Sequence, residues 1–291
     1  RRSSDLIRPG TGSKGGVRLV RGSHIVTRRL YDHDRCYFFQ GTDGRIVFAI
    51  PYEQDFTLIG TTYREYQGDP AQVAISAEET DYLLKVVNEH FKQQLSRGDV
   101  LHSFAGVRPL CDDESDEPSA ITRDYTLSLS GTPGEAPLLS VFGGKLTTYR
   151  KLAESAMQQL APYFSNLGPS WTASAPLPGG EDMQEQSTLV EALCERHGWL
   201  PASLAKRWVS SYGSRTWRLL DGADNLTDLG EHLGAGLYTR EVDYLRREEW
   251  ARSSADILWR RSKLGLFMTP AQQTRLQDYL TSRDPHSAHA A

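Results

Sequence analysis

The stretch Pro137-Leu138-Leu139-Ser140-Val141-Phe142-Gly143-Gly144-Lys145-Leu146-Thr147-Thr148-Tyr149-Arg150-Lys151-Leu152 decides how the chain is read. Its first half is an apolar run rich in Leu, Val and Phe, the pattern of a buried strand. Two glycines stop the run and permit a tight turn with close backbone approach to a ligand. Thr147 and Thr148 then supply hydroxyls that can cap a helix carrying Tyr149, Leu152, Ala156 and Leu160. Strand, glycine turn and capped helix present backbone amides and the positive end of a helix dipole to whatever sits on the turn. Lys145 adds a cation there, so the spot suits an anionic group. An ordinary strand-to-helix connection with a surface lysine satisfies the same residues.

The totals bound the rest. A chain of 291 residues can bury a sizeable core and form two domains. Its 38% hydrophobic and 24% charged residues are those of a globular protein, and a net charge of −4 gives no reason to expect nucleic acid. No run approaches the length of apolar sequence that spans a bilayer. Surface attachment to a membrane would not show in these totals. Cys36, Cys111 and Cys194 stand apart without CxxC spacing, which argues for a reducing compartment and against a zinc site. The opening Arg1-Arg2-Ser3-Ser4, without Met or an apolar signal, reads as the interior of a longer protein.

Gly10-Thr11-Gly12-Ser13-Lys14-Gly15 has the spacing of a dinucleotide fingerprint in the wrong setting. The fingerprint needs a strand before it and a helix after it. Here a polar, proline-ended segment precedes it and the strand-like Val17-Arg18-Leu19-Val20-Arg21 follows, so it reads as a glycine-rich loop. Residues 17–20, 23–26, 37–39, 45–52 and 56–61 are rich in β-branched and aromatic side chains separated by turn signals. They predict an antiparallel or mixed sheet of hairpins. His24 lies on one of these strands, where a histidine is usually a packed or surface residue.

Ser76-Ala77-Glu78-Glu79 has capping-box spacing and predicts a helix running to about Leu95, with Leu83, Val87, Phe91 and Leu95 on one face and its charges solvated. A strand over 100–107 delivers Arg108, and Pro109 is expected to end the sheet pairing there. The acidic run from Asp112 to Glu117 reads as an exposed loop rather than a metal cage. A strand over 120–129 places Arg123 and Tyr125 on one face by its period of two.

Gly168-Pro169-Ser170 and Pro176-Leu177-Pro178-Gly179-Gly180 mark a linker. Beyond it strand signals vanish and helices are expected over 187–197, 201–212, 214–220, 239–251, 254–264 and 270–282. The last has a clear start in Thr269-Pro270-Ala271-Gln272. Trp199, Trp208, Trp217, Trp250 and Trp259 are expected in the core of this region. Trp259-Arg260-Arg261-Ser262-Lys263 is a basic stretch that reads as a solvated helix face or a surface for lipid or a partner subunit. Residues 284–291 read as a frayed terminus, in which His286 and His289 are weak metal ligands.

Four segments in order resemble the FAD-dependent (aerobic) glycerol-3-phosphate dehydrogenases. They are Gly22-Ser23-His24-Ile25-Val26, Gly106-Val107-Arg108-Pro109-Leu110, Asp112-Asp113-Glu114-Ser115 with Ile121-Thr122-Arg123-Asp124-Tyr125, and Phe142-Gly143-Gly144-Lys145-Leu146-Thr147-Thr148-Tyr149-Arg150. The resemblance covers nearly the whole chain. It implies an α/β fold, the latter part of an FAD/substrate domain with a mixed sheet over residues 1–168. A linker over 169–180 and an all-α cap domain over 181–291 follow. The family's own fingerprint lies upstream of the matched region, so the part that grips the ADP half of FAD is expected to be missing and the chain alone inactive.

The implied reaction is oxidation of sn-glycerol 3-phosphate to dihydroxyacetone phosphate, with hydride passing to FAD N5 and electrons to a membrane quinone. The resemblance also implies peripheral attachment to the cytoplasmic face of the inner membrane, and it is compatible with a homodimer. His24 is implied as the base, with Arg108 and Lys145 beside it in catalysis. Arg108, Arg123 and Lys145 would bind substrate, Arg123 at the phosphate and Arg108 nearer the glyceryl end. Gly143, Gly144, Lys145, Leu146, Thr147 and Thr148 would contact the flavin, and no metal is called for. One departure stands out: Tyr63 follows Thr61-Thr62 where the family pattern has an aspartate. The rival readings are a flavin oxidoreductase of the D-amino-acid oxidase type and a non-catalytic helical assembly or membrane-docking module.

Overall fold

The structure is a computed structural model that describes residues 17–111, 124–131, 136–181 and 185–283. The chain divides into two compact units, one through Ala173 and one from Ser174 onward.

The first unit is built on a six-stranded sheet. Its spine is β1 (Val17–Arg28), followed in the chain by β2 (Tyr37–Gln40), β3 (Ile46–Tyr52), β4 (Phe56–Gly60), β5 (Arg64–Glu65) and β6 (His102–Cys111). The two short strands expected at the start are one long strand. Every pairing in this sheet is antiparallel, in the order β2-β3-β4-β1-β5 with β6 on the other edge of β1. Pro109 does not end the pairing. It sits opposite Leu19 and β6 continues to Cys111. Proline is tolerated because β6 pairs with β1 alone among the described residues, leaving an outer edge where no ladder amide is needed.

Helix α1 (Ala77–Asn88) starts with the expected capping box, Ser76 accepting from the Glu79 amide while Glu79 accepts from the Ser76 amide. It stops at Asn88, well short of Leu95. The Asn88 side chain then exchanges two hydrogen bonds with the Leu95 backbone and returns Leu95 to the core by a loop. Leu83, Leu84, Val86 and Val87 of the helix pack on Ile25, Phe39, Val47, Ala49 and Ile59 of the sheet. One face of the sheet is therefore closed by α1.

A second, two-stranded antiparallel sheet joins β7 (Tyr125–Ser130) and β8 (Leu138–Gly143), and β8 runs beside β6. β8 is less buried than its apolar composition suggests, since Leu138 and Val141 are exposed and only Ser140 and Phe142 are covered. After β8 come a 3₁₀ turn at Leu146–Thr148 and helix α2 (Tyr149–Leu160). None of the residues of α2 is fully buried.

The second unit holds α3 (Gln186–Arg196), α4 (Ala202–Tyr212), α5 (Thr216–Leu220), α6 (Thr239–Glu248) and α7 (Pro270–Ser282) around one core centred on Trp208. The Thr269 capping box opens α7 as expected. Three details differ from the sequence reading. A small hairpin, β9 (His232–Gly234) with β10 (Leu237–Tyr238), interrupts the helices. The segment Asp256–Arg261 is a single π turn, closed by the Ser262 amide and hydroxyl donating to the Ile257 carbonyl. Trp250 is 82% exposed rather than in the core, whereas Trp199, Trp217 and Trp259 pack against it. The reason is a helix stop: the amides of Glu249 and Ala251 both return to the Leu245 carbonyl, and Trp250 takes the left-handed position (φ 54°) usually filled by glycine.

The stretch from Pro176 to Gly180 is tied to this helical unit. Gly179 accepts from the Ser214 amide and donates to Glu181, which also receives the Ser214 hydroxyl. Among the described residues Cys36 and Cys194 are free thiols. No helix among the described residues is long and apolar enough to cross a membrane.

Candidate active site

Register builds the site. Directly opposed residues of adjacent strands share a face, and successive residues of a strand alternate. The pairings Phe38 with Phe48, Phe48 with Gly60, Gly60 with His24, and His24 with Phe104 make one continuous row across five strands. Ile25 and Ile59, next to this row, point the other way into the core under α1. The row is thus on the face that α1 leaves open. Phe38, Phe48 and Phe104 are all exposed there, with Phe104 stacked on the His24 ring at 5.0 Å and 11°.

His24 sits low in this row because Gly60 has no side chain: a β-carbon there would overlap the imidazole. Arg108 reaches the same place from β6. Its Cα lies opposite Val20, but the guanidinium extends back over Gly22, where a β-carbon would collide with it. Gly22 and His24 are alternate residues on one face, so the guanidinium and imidazole are neighbours. Arg108 also donates to Thr61 Oγ1 (3.2 Å) and lies over the Tyr63 ring at 5.0 Å. Tyr63 therefore offers a π face to a cation.

Burial and, secondarily, the Arg108 charge lower the His24 pKa to about 4. The imidazole is accordingly neutral at physiological pH, and its Nδ1 is buried with no hydrogen-bond partner among the described residues. An orphaned acceptor or donor of this kind is costly unless a ligand completes it.

Behind the same strand lies a carboxylate that sequence reasoning missed. Glu79, read as part of a solvated helix face, is 2% exposed. It receives the hydroxyls of Thr62 (2.6 Å) and Ser23 (3.1 Å), the Ser76 amide (3.0 Å) and the Arg21 guanidinium (2.8 Å). Burial pushes its pKa up, but these four donors together hold it below the usual value. The capping-box spacing marked Glu79 as a local cap, and nothing local announces partners 17 and 56 residues away.

The turn after β8 has the expected glycine geometry, with Gly143 at φ 71° and Gly144 at φ 98°. Its capping differs. Thr148 does not cap α2 with its side chain; its hydroxyl donates to the Lys145 carbonyl (3.1 Å) and accepts from the Lys145 amide (3.4 Å). Thr148 thus shapes a tight 3₁₀ entry to the helix, and Leu146 on it is almost fully exposed. Lys145 is half exposed and paired with Asp124 at 3.7 Å. The structure brings His24 and Arg108 together and sets Lys145 on the turn from the neighbouring small sheet. Arg123, the acidic run from Asp112, the Gly10–Gly15 decoy and the terminal His286 and His289 lie outside the described residues.

These residues fit the isoalloxazine end of a flavin. Two positive-φ glycines, a helix entry and Lys145 make a corner suited to anionic oxygens, and the open aromatic row offers an apolar wall. Residues 3–150 match the family model "FAD dependent oxidoreductase", and residues 170–280 match "C-terminal domain of alpha-glycerophosphate oxidase". The chain is 68% identical over 278 residues to a glycerol-3-phosphate dehydrogenase of Pseudomonas aeruginosa, covering 95% of this chain and 54% of that protein. It is 45% identical over 268 residues to a D-erythritol 1-phosphate dehydrogenase of Brucella abortus, covering 92% and 53%. Among solved structures it is similar to a glycerol-3-phosphate dehydrogenase from Bacillus halodurans complexed with FAD, with a TM-score of 0.73 and 26% identity, covering 93% of this chain and 57% of that one. The chain spans about half the length of the curated relatives it matches. It belongs to the FAD-dependent oxidoreductase family, and carries the C-terminal domain found in α-glycerophosphate oxidase.

Proposed function

We propose that, within the full-length protein, this chain forms the substrate side of an enzyme that oxidises sn-glycerol 3-phosphate to dihydroxyacetone phosphate. The observation that carries the reading is the Arg108 guanidinium laid over Gly22 beside a neutral His24 on the open sheet face. The names of the relatives supply the substrate class, a phosphorylated polyol.

The chemistry makes three demands. A phosphate dianion must be held, and arginine forks suit it better than lysine point charges. Arg123 takes the phosphate and Arg108 the glyceryl end. The C2 hydroxyl must lose a proton as its hydride departs, and neutral His24 accepts that proton. The amides of the Gly143–Thr148 turn and Lys145 would hold the flavin edge at N1 and the C2 carbonyl, where negative charge gathers. FAD, when bound, supplies the two-electron acceptor. Phe38, Phe48 and Phe104 are exposed on this face, and a flavin and substrate laid over them would expel water and strengthen the charge interactions there. Electrons then pass to a membrane quinone, and the protein attaches peripherally to the cytoplasmic face of the inner membrane. The domain division at residues 168 and 181 belongs to the same reading.

The test is a substrate comparison in the full-length, FAD-loaded enzyme. Arg123→Ala raises KM for glycerol 3-phosphate and spares glycerol; equal loss on both removes Arg123 from the phosphate. Oxidation of D-amino acids in preference to glycerol 3-phosphate or erythritol 1-phosphate overturns the reading in favour of an amine-oxidising enzyme.

A further inference from the structure

The open face of the sheet is held in shape from its closed face. β1 pairs with β4 as far as His24 opposite Gly60, then with β5 from Arg21 opposite Arg64. Between those pairings, residues 61–63 leave the ladder beside Gly22 and Ser23. The two threonines of this bulge work in opposite directions. Thr61 Oγ1 receives Arg108 on the open face. Thr62 Oγ1 receives the Ser23 amide (3.0 Å) and donates to Glu79 at 2.6 Å on the closed face. Ser23 lies between Gly22, under the Arg108 guanidinium, and His24. Its hydroxyl also donates to Glu79.

We infer that Glu79 is a positioning residue for the reaction, acting through Thr62 and Ser23 to fix His24 and Arg108 on the opposite face of the sheet. The inference rests on the function proposed above. Each Glu79 oxygen is fully used. Oε1 takes the two hydroxyls, and Oε2 takes the Ser76 amide and Arg21. An ionised carboxylate is the side chain that accepts all four, because it has no donor to place among them. Oε2 joins the helix entry to Arg21 of β1, while Oε1 holds Ser23 of the same strand and Thr62 of the bulge. A residue that only capped α1 would need the Ser76 amide alone. The bonds to Thr62 and Ser23, which flank Arg108's Thr61 and His24, are what link it to chemistry, since displacing reacting groups by about 1 Å can cost on the order of a hundredfold in rate.

The experiment separates these roles in the full-length, FAD-loaded enzyme, using glycerol 3-phosphate and stopped-flow flavin reduction. Thr62→Val keeps the volume and removes the hydroxyl that joins Glu79 to Ser23. It is expected to lower the reduction rate about tenfold or more and to raise KM, with FAD content retained. Thr62→Ser, which keeps the hydroxyl, is expected to restore both. Ser76→Ala removes the cap from α1 and is expected to lower the melting temperature with kinetics unchanged. Glu79→Gln places an amide donor against Ser76 and Arg21 or against the two hydroxyls, and is expected to lose both stability and rate. Normal kinetics in Thr62→Val overturns the inference, and so does a Ser76→Ala rate loss matching that of Thr62→Val at equal loss of stability. His24→Ala and Arg108→Ala are measured alongside. Full activity in both sinks the proposed function and this inference together, whereas loss in both with a normal Thr62→Val sinks the inference alone.

Discussion

The two units each bury a glutamate against an arginine, and they use it differently. In the helical unit Glu241 is fully buried and takes a bidentate grip from Arg207 (2.7 and 2.6 Å), with the Tyr212 hydroxyl at 2.6 Å. Arg207 also reaches the Gly236 carbonyl at 2.8 Å, so one charged node ties α4 and α6 to the hairpin. Burial, then the adjoining Glu241 charge, pushes the Tyr212 pKa well up, which keeps it a proton donor to that carboxylate. All of its partners are core-forming elements. In the sheet unit Glu79 joins a helix entry to the back of the His24 strand, through Arg21 and Ser23, and to Thr62 beside it. The same chemistry serves cohesion in one place and geometry in the other, and the difference lies in what stands on the far side of the bonded element.

That contrast can be broken or sharpened by measurement. The largest effect is expected from His24→Ala, which removes the base without disturbing either glutamate. Flavin reduction in single turnover falls about 10²–10⁴-fold, with little change in melting temperature. An unchanged rate removes His24 as the base. Next is Glu241→Ala, which strands a buried guanidinium and costs about 3–5 kcal/mol of stability, read by calorimetry on the helical transition. A cost below about 1 kcal/mol would show that the node behaves like a surface ion pair and would erase the comparison.

Acid gives a smaller and graded effect. The His24 pKa is depressed in the folded state, so the unfolded chain takes up protons first as pH falls. Stability from the neutral imidazole is whole above about 6.5 and is lost as pH falls toward about 4. Glu79, a carboxylate held below its usual value, adds a loss that begins below that usual value. His24→Asn should flatten the slope of melting temperature between these pH values, and the acid limb of kcat/KM in the wild type should lie below the ordinary histidine range. A limb at 6.5 would mean that the ring is solvated in the working enzyme. Smallest is Trp250→Gly in the helical unit. It relieves a left-handed residue whose side chain is in solvent, and should raise stability by about 1 kcal/mol.

Local chemistry was legible in the sequence. The two capping boxes, the glycine pair after β8 and most of the helices depend on residues within a few positions of one another, and they form as read. What needed the structure depends on register or on distant partners. Phe39 is as aromatic as Phe38, and only the pairing with Phe48 shows which one joins His24. Pro109 looked like a stop because sequence does not say which edge of a strand is paired. Glu79 carries a helix-cap spacing, which hid its role behind the sheet. Trp250 took a glycine's position at a helix end, and a tryptophan gives no composition cue for that. His24 and Arg108 were marked by resemblance, but Gly22 was read only as part of its motif and Gly60 only as part of a strand.

Those two positions, Gly22 and Gly60, carry a consequence of their own. The reactive ring and the guanidinium occupy room vacated by missing methyl groups on neighbouring strands. Replacement by alanine, the mildest change elsewhere in a sheet, would here evict the working groups from their seats without touching a single atom of them. On a map of tolerated mutations the deepest troughs should therefore fall on two residues that have no side chain to contribute.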